Sequence, residues 1–177
     1  MTAPNNSLAG DEPIFLIGFM GAGKTTVGRA LARHLRYDFF DLDGLIENQV
    51  GKSVPAIFAD FGESEFRRLE REALQSCSEM VRTVIALGGG AYVSEENRAS
   101  LRAIGKTVWL DCPLEVCLGR IRGDRSRPLL GDEDEMRELL EQRGSDYAQA
   151  DFAVQAGDFS PEHLALEITK LLKPPVQ

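Results

Sequence analysis

The chain has few cysteines and no long apolar run, and both absences limit what it can be. Its 177 residues include three cysteines, Cys77, Cys112 and Cys117. An odd number without a CxxC pair excludes a disulfide framework, and we expect free thiols in a reducing, cytoplasmic compartment. No stretch of about 18 apolar residues occurs, so the sequence predicts no membrane span. The first dozen residues lack a basic segment and an apolar core, and we expect no signal peptide.

Positive charge is also scarce. The chain has 20 Lys+Arg against 28 Asp+Glu, a formal net charge of −8, which argues against a nucleic-acid-binding surface. Only five of the basic residues are lysines, and four arginines lie close together in the sequence, at Arg120, Arg122, Arg125 and Arg127. Because arginine offers a fork of donors to phosphates and carboxylates, this cluster indicates a small anionic ligand.

Length and composition predict one domain. The chain is 43% hydrophobic and 27% charged, close to globular averages, and it can bury a sufficient core without a disulfide or a metal. We expect a flexible N-terminal tail over residues 1–12 and a single domain over residues 13–173. Nothing suggests a large exposed apolar face, and we expect a monomer.

Short apolar segments alternate with helical patterns along the domain. Strands are predicted at residues 13–17, 37–42, 81–87, 107–110 and 152–154. Helices are predicted at residues 24–35, 44–80 with breaks near Gly51 and Gly62, from Ser94 onward, and at 114–121, 134–147 and 160–172. This alternation predicts an α/β fold with a parallel sheet between two layers of helices. The polar, arginine-rich segment at about 123–133 is typical of a mobile lid.

A glycine-rich loop follows the first predicted strand. Residues 18–25 match the pattern GxxxxGK[ST], between an apolar strand and a helix. Its glycines let backbone N–H groups surround phosphate oxygens, and the helix N-terminus adds partial positive charge. Lys24 can reach the terminal phosphates, and the Thr25 hydroxyl can bind Mg²⁺. The nucleotide-binding residues predicted here are Gly21, Ala22, Gly23, Lys24, Thr25 and Thr26. The alternative is a glycine-rich strand-to-helix turn.

The second predicted strand ends in the acidic segment Asp41-Leu42-Asp43. No NKxD-type string for reading guanine occurs, and the third strand ends in glycines, so Asp41 and Asp43 are the acids directly at a strand end near the loop. If the chain is still extended there, their carboxylates face the same way. One could then sit near Mg²⁺ while the other accepts a proton from a substrate hydroxyl. The alternative is an N-cap pair, with Asp43 capping the next helix.

Three further features point to an acceptor site, each with a simpler interpretation. The glycines at 88–90 allow a ligand to lie against bare backbone, or they form a turn that needs positive φ. Arg67 or Arg68 could point into the site, braced by Glu63 or Glu70, although such a charge run is usually a solvated face. Arg143, taken alone, reads as a surface residue.

In order, these motifs resemble those of the shikimate kinases. The matching residues are GFMGAGKTTVGR at 18–29, DLD at 41–43, FGE at 61–63, FR at 66–67, GGG at 88–90, RPLL at 127–130, and Arg143 with Tyr147. The resemblance spans about residues 14–172. It implies a P-loop fold like that of the nucleoside-monophosphate kinases, with three layers, a five-stranded parallel sheet and a lid. It also implies an ATP- and Mg²⁺-dependent kinase that phosphorylates the 3-hydroxyl of shikimate.

The resemblance implies roles on the acceptor side. Asp43 would bind the reacting hydroxyl and act as the base. Arg67 and Arg143 would hold the shikimate carboxylate, with Glu70 bracing Arg67. Gly89 and Gly90 would contact the substrate through their backbone.

The resemblance also implies roles on the nucleotide side. Lys24 and Arg127 would stabilise charge on the β- and γ-phosphates, so that they are catalytic together with Asp43. Thr25 and Asp41 would lie around Mg²⁺. Arg120 would lie against the adenine, helped by the loop before Pro161. Two alternatives remain open, a kinase of the same fold for gluconate or another polyol acid, and a non-catalytic nucleotide-binding regulator.

Overall fold

The computed structural model describes residues 10–122 and 132–173. Within them, five short strands form one sheet in the order β2-β3-β1-β4-β5. Every pair of neighbouring strands is parallel. The strands are β1 (Ile14–Ile17), β2 (Asp38–Asp41), β3 (Thr83–Ala86), β4 (Lys106–Asp111) and β5 (Phe152–Gln155).

Helices connect the strands. They are α1 (Lys24–Leu35), α2 (Leu42–Val50), α3 (Val54–Ser76), α4 (Glu95–Ile104), α5 (Leu114–Arg122), α6 (Glu133–Tyr147) and α7 (Pro161–Leu172). Short 3₁₀ turns lie at Cys77–Glu79 and Ala91–Val93. Among the described residues, no helix is both long enough and apolar enough to cross a membrane.

The core lies on both sides of the sheet. Every residue of β1 and β3 is buried, as expected for central parallel strands covered on two faces. Helices α1 and α7 pack against each other, α1 contacts β2 and β3, and α7 contacts β5. Helix α4 packs on β4 and α3 on α4. The predicted α/β fold with a parallel sheet is confirmed.

The predicted strands are confirmed, with ends that differ by one or two residues. The predicted helix breaks are also confirmed, since Gly51 ends α2 at φ 73° and Gly62 interrupts α3 at φ 79°. Helix α6 begins at Glu133, where Asp132 caps it through a capping box with Glu135. The rest of the predicted lid, residues 123–131, lies outside the described residues, as do residues 1–9 of the predicted tail.

The topology places the candidate site. In a parallel sheet all carboxyl ends lie at one edge, and ligands bind outside that edge. The glycine-rich loop follows β1, Asp41 ends β2, and Gly88 to Gly90 follow β3. Segments that are far apart in the sequence are therefore neighbours along this edge.

Candidate active site

A cavity of about 720 Å³ lies at the carboxyl edge of the sheet. Its walls come from the glycine-rich loop, the end of β2 with the start of α2, the glycines after β3, and Arg120 on α5. The cavity thus joins the predicted nucleotide loop to two of the predicted acceptor residues, Asp43 and Gly89, whereas Arg67, Gly90 and Arg143 lie beyond its lining. Its volume is in the range of small-molecule sites.

The loop after β1 has a conformation that needs glycine. Gly21 has φ 76°, and a Cβ there would lie 2.6 Å from the Cys117 carbonyl oxygen. Gly23 has φ 97° and sits at the N-cap of α1 without a side-chain cap. The first N–H groups of α1 are therefore not capped by a side chain at this position, and such groups bind anions well.

Two side chains at the start of α1 contribute polar groups to the cavity wall. Lys24 Nζ donates to the carbonyl oxygens of Gly18 at 2.8 Å and Phe19 at 2.9 Å, so its ammonium is held over the loop. Thr25 Oγ1 donates to Asp41 Oδ2 at 3.0 Å. A hydroxyl and a carboxylate oxygen from two different elements therefore meet at one point.

Asp41 and Asp43 both line the cavity, though not by strand alternation. The chain leaves the extended conformation at Asp41, which is the N-cap of α2 and accepts a hydrogen bond from Asp43 N at 3.2 Å. The capping residue is thus Asp41, not Asp43. Because Asp41 supplies the cap, the Asp43 carboxylate is left to face the cavity from the first turn of α2.

The environment of Asp43 raises its pKa to about 6 from an ordinary 3.8. Burial is the largest cause, and the neighbouring carboxylates of Asp41 and Glu70 add to it. Lys24 opposes the shift. A carboxylate of this kind is ionised at neutral pH and is a stronger base than an exposed aspartate, which suits proton acceptance.

The glycines after β3 lie against three of the side chains predicted for the acceptor site. A Cβ on Gly88 would lie 3.0 Å from Asp43 Oδ1, and one on Gly89 would lie 3.2 Å from Arg143 Nη1. A Cβ on Gly90 would lie 3.1 Å from both Nη atoms of Arg67. These close approaches explain why the run lacks side chains. They also place a carboxylate and two guanidinium groups around one stretch of backbone.

Arg67, rather than Arg68, faces the site. Its Nη1 donates to both carboxylate oxygens of Glu70 at 3.1 and 3.0 Å, and its Nη2 donates to Glu63 at 3.2 Å. Glu70 is only 1% exposed, so this contact fixes the guanidinium. Arg68 instead pairs with Glu65 and Glu72 on the exposed side of α3. The charge run therefore has one face toward the glycines after β3 and one solvated face.

Arg143 is positioned by a residue to which the sequence assigned no role. Tyr147 is fully buried, and its hydroxyl donates to the Gly89 carbonyl oxygen at 2.6 Å. The Arg143 guanidinium lies near enough to that hydroxyl to interact with it electrostatically. Burial raises the pKa of Tyr147, and Arg143 opposes that rise. The sequence signal was only that Arg143 and Tyr147 lie four residues apart, on one face of a helix.

Arg120 closes the cavity on the side of α5. Its Nη1 donates to the carbonyl oxygens of Ala22 at 3.1 Å and Gly21 at 3.3 Å, and its Nη2 donates to that of Gly157 at 2.7 Å. Of the other clustered arginines, Arg122 pairs with Glu133 of α6. Arg125 and Arg127 lie outside the described residues.

Sequence reasoning missed another lining residue, Glu47. It lines the cavity from α2, and its Oε1 accepts a hydrogen bond from Val54 N at 2.8 Å. This contact ties the start of α3 to α2. No local pattern marks it, because the glutamate lies on a helix with an ordinary amphipathic sequence.

Comparison with known proteins finds relatives in both sequence and fold. The family model described as Shikimate kinase matches residues 20–173. A shikimate kinase of Microcystis aeruginosa is 46% identical over 156 residues, which are 86% of this chain and 81% of the relative. A solved structure, shikimate kinase from Acinetobacter baumannii in complex with shikimate, is 38% identical. It superimposes with a TM-score of 0.85 and covers 91% of this chain and 92% of that chain.

The fold alone extends to more distant kinases. A gluconokinase from Sinorhizobium meliloti has a TM-score of 0.61 over 92% of this chain and 91% of its own, at 15% identity. The shikimate kinases match in sequence as well as in fold, over nearly the whole described domain. The chain belongs to the shikimate kinase family.

Proposed function

We propose that this protein transfers the γ-phosphoryl group of ATP to the 3-hydroxyl of shikimate, giving shikimate 3-phosphate and ADP. The observation that carries the proposal is the glycine run after β3, which places Asp43, Arg143 and Arg67 next to consecutive residues. A base beside two guanidinium groups matches an acceptor that has both a hydroxyl and a carboxylate. Membership of the shikimate kinase family supports the same acceptor.

The nucleotide occupies the loop side of the cavity in this proposal. Backbone N–H groups of Gly21, Ala22 and Gly23, with those of Lys24, Thr25 and Thr26 at the start of α1, bind the phosphates. Lys24 exchanges its loop carbonyls for phosphate oxygens and neutralises the charge that develops during transfer. Arg120 lies against the adenine. Arg127, from the lid, adds a second positive charge at the γ-phosphate.

Mg²⁺ fits the donor set at the end of β2. Thr25 Oγ1 and Asp41 Oδ2 are hard oxygen donors that already lie 3.0 Å apart, and Mg²⁺ prefers such ligands together with phosphate and water oxygens. We propose that these two residues hold the ion, Asp41 directly or through water. When bound, Mg²⁺ neutralises the β- and γ-phosphates.

The acceptor lies against the glycines in this proposal. Arg67 and Arg143 bind its carboxylate, and the backbone of Gly89 and Gly90 contacts its ring. Asp43 accepts the proton of the 3-hydroxyl while that oxygen attacks the γ-phosphorus and the bond to the bridging β-oxygen breaks. Glu70 holds Arg67 in place, so the carboxylate is bound before transfer.

We further propose that the protein acts as a monomer in the cytoplasm. The three cysteines are free thiols, which fits a reducing compartment. Light scattering during size-exclusion chromatography measures the oligomeric state directly.

The test is ADP release from MgATP with shikimate, with gluconate and without an acceptor. We expect release with shikimate alone, and nuclear magnetic resonance of the product should place the phosphate on the 3-oxygen. Release with gluconate would overturn the roles of Arg67 and Arg143. Binding of ATP without release for either acceptor would favour a non-catalytic regulator.

A further inference from the structure

Two thiols meet at the start of α5. The Pro113 carbonyl accepts hydrogen bonds from the N–H groups of Val116 and Cys117, at 3.1 Å each. Pro113 is therefore the residue at which α5 begins its backbone hydrogen bonding. Cys112 lies just before this residue and Cys117 in the first turn, positions whose side chains pack together across a helix N-terminus. The structure shows that contact, with Cys117 Sγ donating to the Cys112 carbonyl oxygen at 3.8 Å.

The Cys112 sulfur also has a cationic neighbour. Arg120 Nη1 lies 3.6 Å from Cys112 Sγ, within the contact distance of a hydrogen bond to sulfur. The same guanidinium donates to the carbonyl oxygens of Ala22 and Gly157. Cys112 is therefore part of the surface that holds Arg120 at the cavity.

The two thiols differ in acidity. The hydrogen bond from Cys117 is the first cause that lowers the pKa of Cys112, and the charge of Arg120 also lowers it, while burial, Asp111 and Asp158 oppose them. The same hydrogen bond and burial raise the pKa of Cys117. A thiolate beside a protonated thiol is the arrangement in which the first attacks an oxidant and the second resolves the product.

We propose that Cys112 and Cys117 are a site of modification by hydrogen peroxide and other small hydroperoxides. The Cys112 thiolate attacks a peroxide oxygen, so that an S–O bond forms and the O–O bond breaks. Hydroxide leaves from hydrogen peroxide, or an alkoxide from another hydroperoxide, and takes a proton from solvent to become water or an alcohol. The Cys117 thiol then attacks the sulfenic sulfur, an S–S bond forms, and the oxygen leaves with its hydrogen and the Cys117 proton as water. Two thiols are oxidised and one peroxide is reduced.

The disulfide would act on the nucleotide side of the cavity from two directions. It removes the Cys112 thiolate that Arg120 contacts, and it moves the Cys112 sulfur toward Cys117. It also pulls on the backbone of Cys117, whose carbonyl lies against Gly21 so closely that a Cβ there would be 2.6 Å away. We therefore expect the oxidised protein to bind ADP about fivefold more weakly, which corresponds to the loss of roughly one hydrogen bond.

The test treats the reduced protein with a small excess of hydrogen peroxide at neutral pH and identifies the products by peptide mass. Trypsin releases both thiols in the single peptide 107–120 and Cys77 in the peptide 72–82. We expect peptide 107–120 to lose two hydrogen atoms, reversibly with dithiothreitol. All three cysteines are buried, and Cys77 is the internal control because burial raises the pKa of its thiol to about 11, whereas the pKa of the Cys112 thiol is lowered to about 7. Cys77 should react at least about tenfold more slowly.

Two matched variants separate the roles. In Cys117→Ser the sulfenic acid on Cys112 should accumulate and be trapped by dimedone, and in Cys112→Ser peptide 107–120 should stay unchanged. Oxidation of Cys77 at the same rate, or a peptide 107–120 that keeps both hydrogens, would overturn the proposal. The expected weakening of ADP binding rests on the proposed function, whereas the expected change in peptide mass does not. Unchanged ADP affinity in a fully oxidised sample would overturn the link to Arg120.

Discussion

Replacing Asp43 with asparagine should abolish turnover and at the same time stabilise the protein. The pKa of Asp43 rises from 3.8 to about 6 in the folded protein, so the folded state binds this proton more tightly than the unfolded chain does. Stability is therefore lost as the pH rises through this window, and above it the ionised carboxylate lowers the free energy of unfolding. Asparagine removes that charge and with it the base.

The expected gain in stability follows from the same two pKa values. A rise from 3.8 to about 6 corresponds to roughly 3 kcal/mol between the two protonation states. We take that as the upper limit of the increase in the free energy of unfolding that Asp43→Asn produces at pH 8. For a chain of this size, such an increase raises the melting temperature by up to about 10 °C. Turnover should fall by about a hundredfold or more, because a positioned base contributes at least that much.

The assay combines urea unfolding at pH 8 and pH 4 with shikimate-dependent ADP release. The variant should be more stable than the wild type at pH 8 and equally stable at pH 4, and wild-type kcat/KM should rise with pH around 6. Asp38→Asn, at an exposed site on β2, is the control and should change neither quantity. A variant that is no more stable at pH 8, or one that turns over normally, would refute the reasoning.

Three other variants test separate parts of the site. Arg143→Ala should raise the KM for shikimate at least about tenfold, since a charged hydrogen bond is lost, with the KM for ATP unchanged; an unchanged shikimate KM would make Arg143 a surface residue. Tyr147→Phe should raise the shikimate KM several-fold, because Gly89 and Arg143 lose a shared partner, and equal kinetics would contradict that role. Lys24→Met should abolish transfer through lost phosphate stabilisation, and wild-type turnover would overturn the loop assignment.

The fold could be predicted because its signals are local. The buried strands β1 and β3 are continuous apolar runs, and Gly62 breaks α3 where the sequence places a glycine in a helical pattern. The predicted ends of helices and strands were less accurate, because capping contacts decide where an element begins and ends. Helix α2 starts one residue after β2 ends because the Asp41 side chain caps it.

The residues of the candidate site were predicted from their types and motifs, but the contacts that arrange them were not. Asp41 and Asp43 share the cavity through a cap and a helical turn rather than through strand alternation. The contact between Tyr147 and Gly89 joins residues 58 positions apart, and no sequence period reports a contact of that kind. The resemblance to shikimate kinases supplied the roles that spacing alone left open.

A second distant contact explains how α6 presents Arg143. Arg98 on α4 pairs with Asp146 at 2.9 Å and donates to the carbonyl oxygens of Tyr92 and Val93. Arg98 is only 8% exposed, although an arginine in a charged helix usually reads as a surface residue. It links α4, α6 and the turn after the glycine run, so the position of Arg143 depends on burial that the sequence does not reveal.

The most direct test of the account is a crystal structure of the protein with shikimate and ADP. The account predicts the shikimate carboxylate between the guanidinium groups of Arg67 and Arg143, the 3-hydroxyl within hydrogen-bond distance of Asp43, and the ring against Gly89 and Gly90. Shikimate bound away from the glycine run, or with its carboxylate away from both arginines, would contradict the central claim that this backbone gathers the acceptor site.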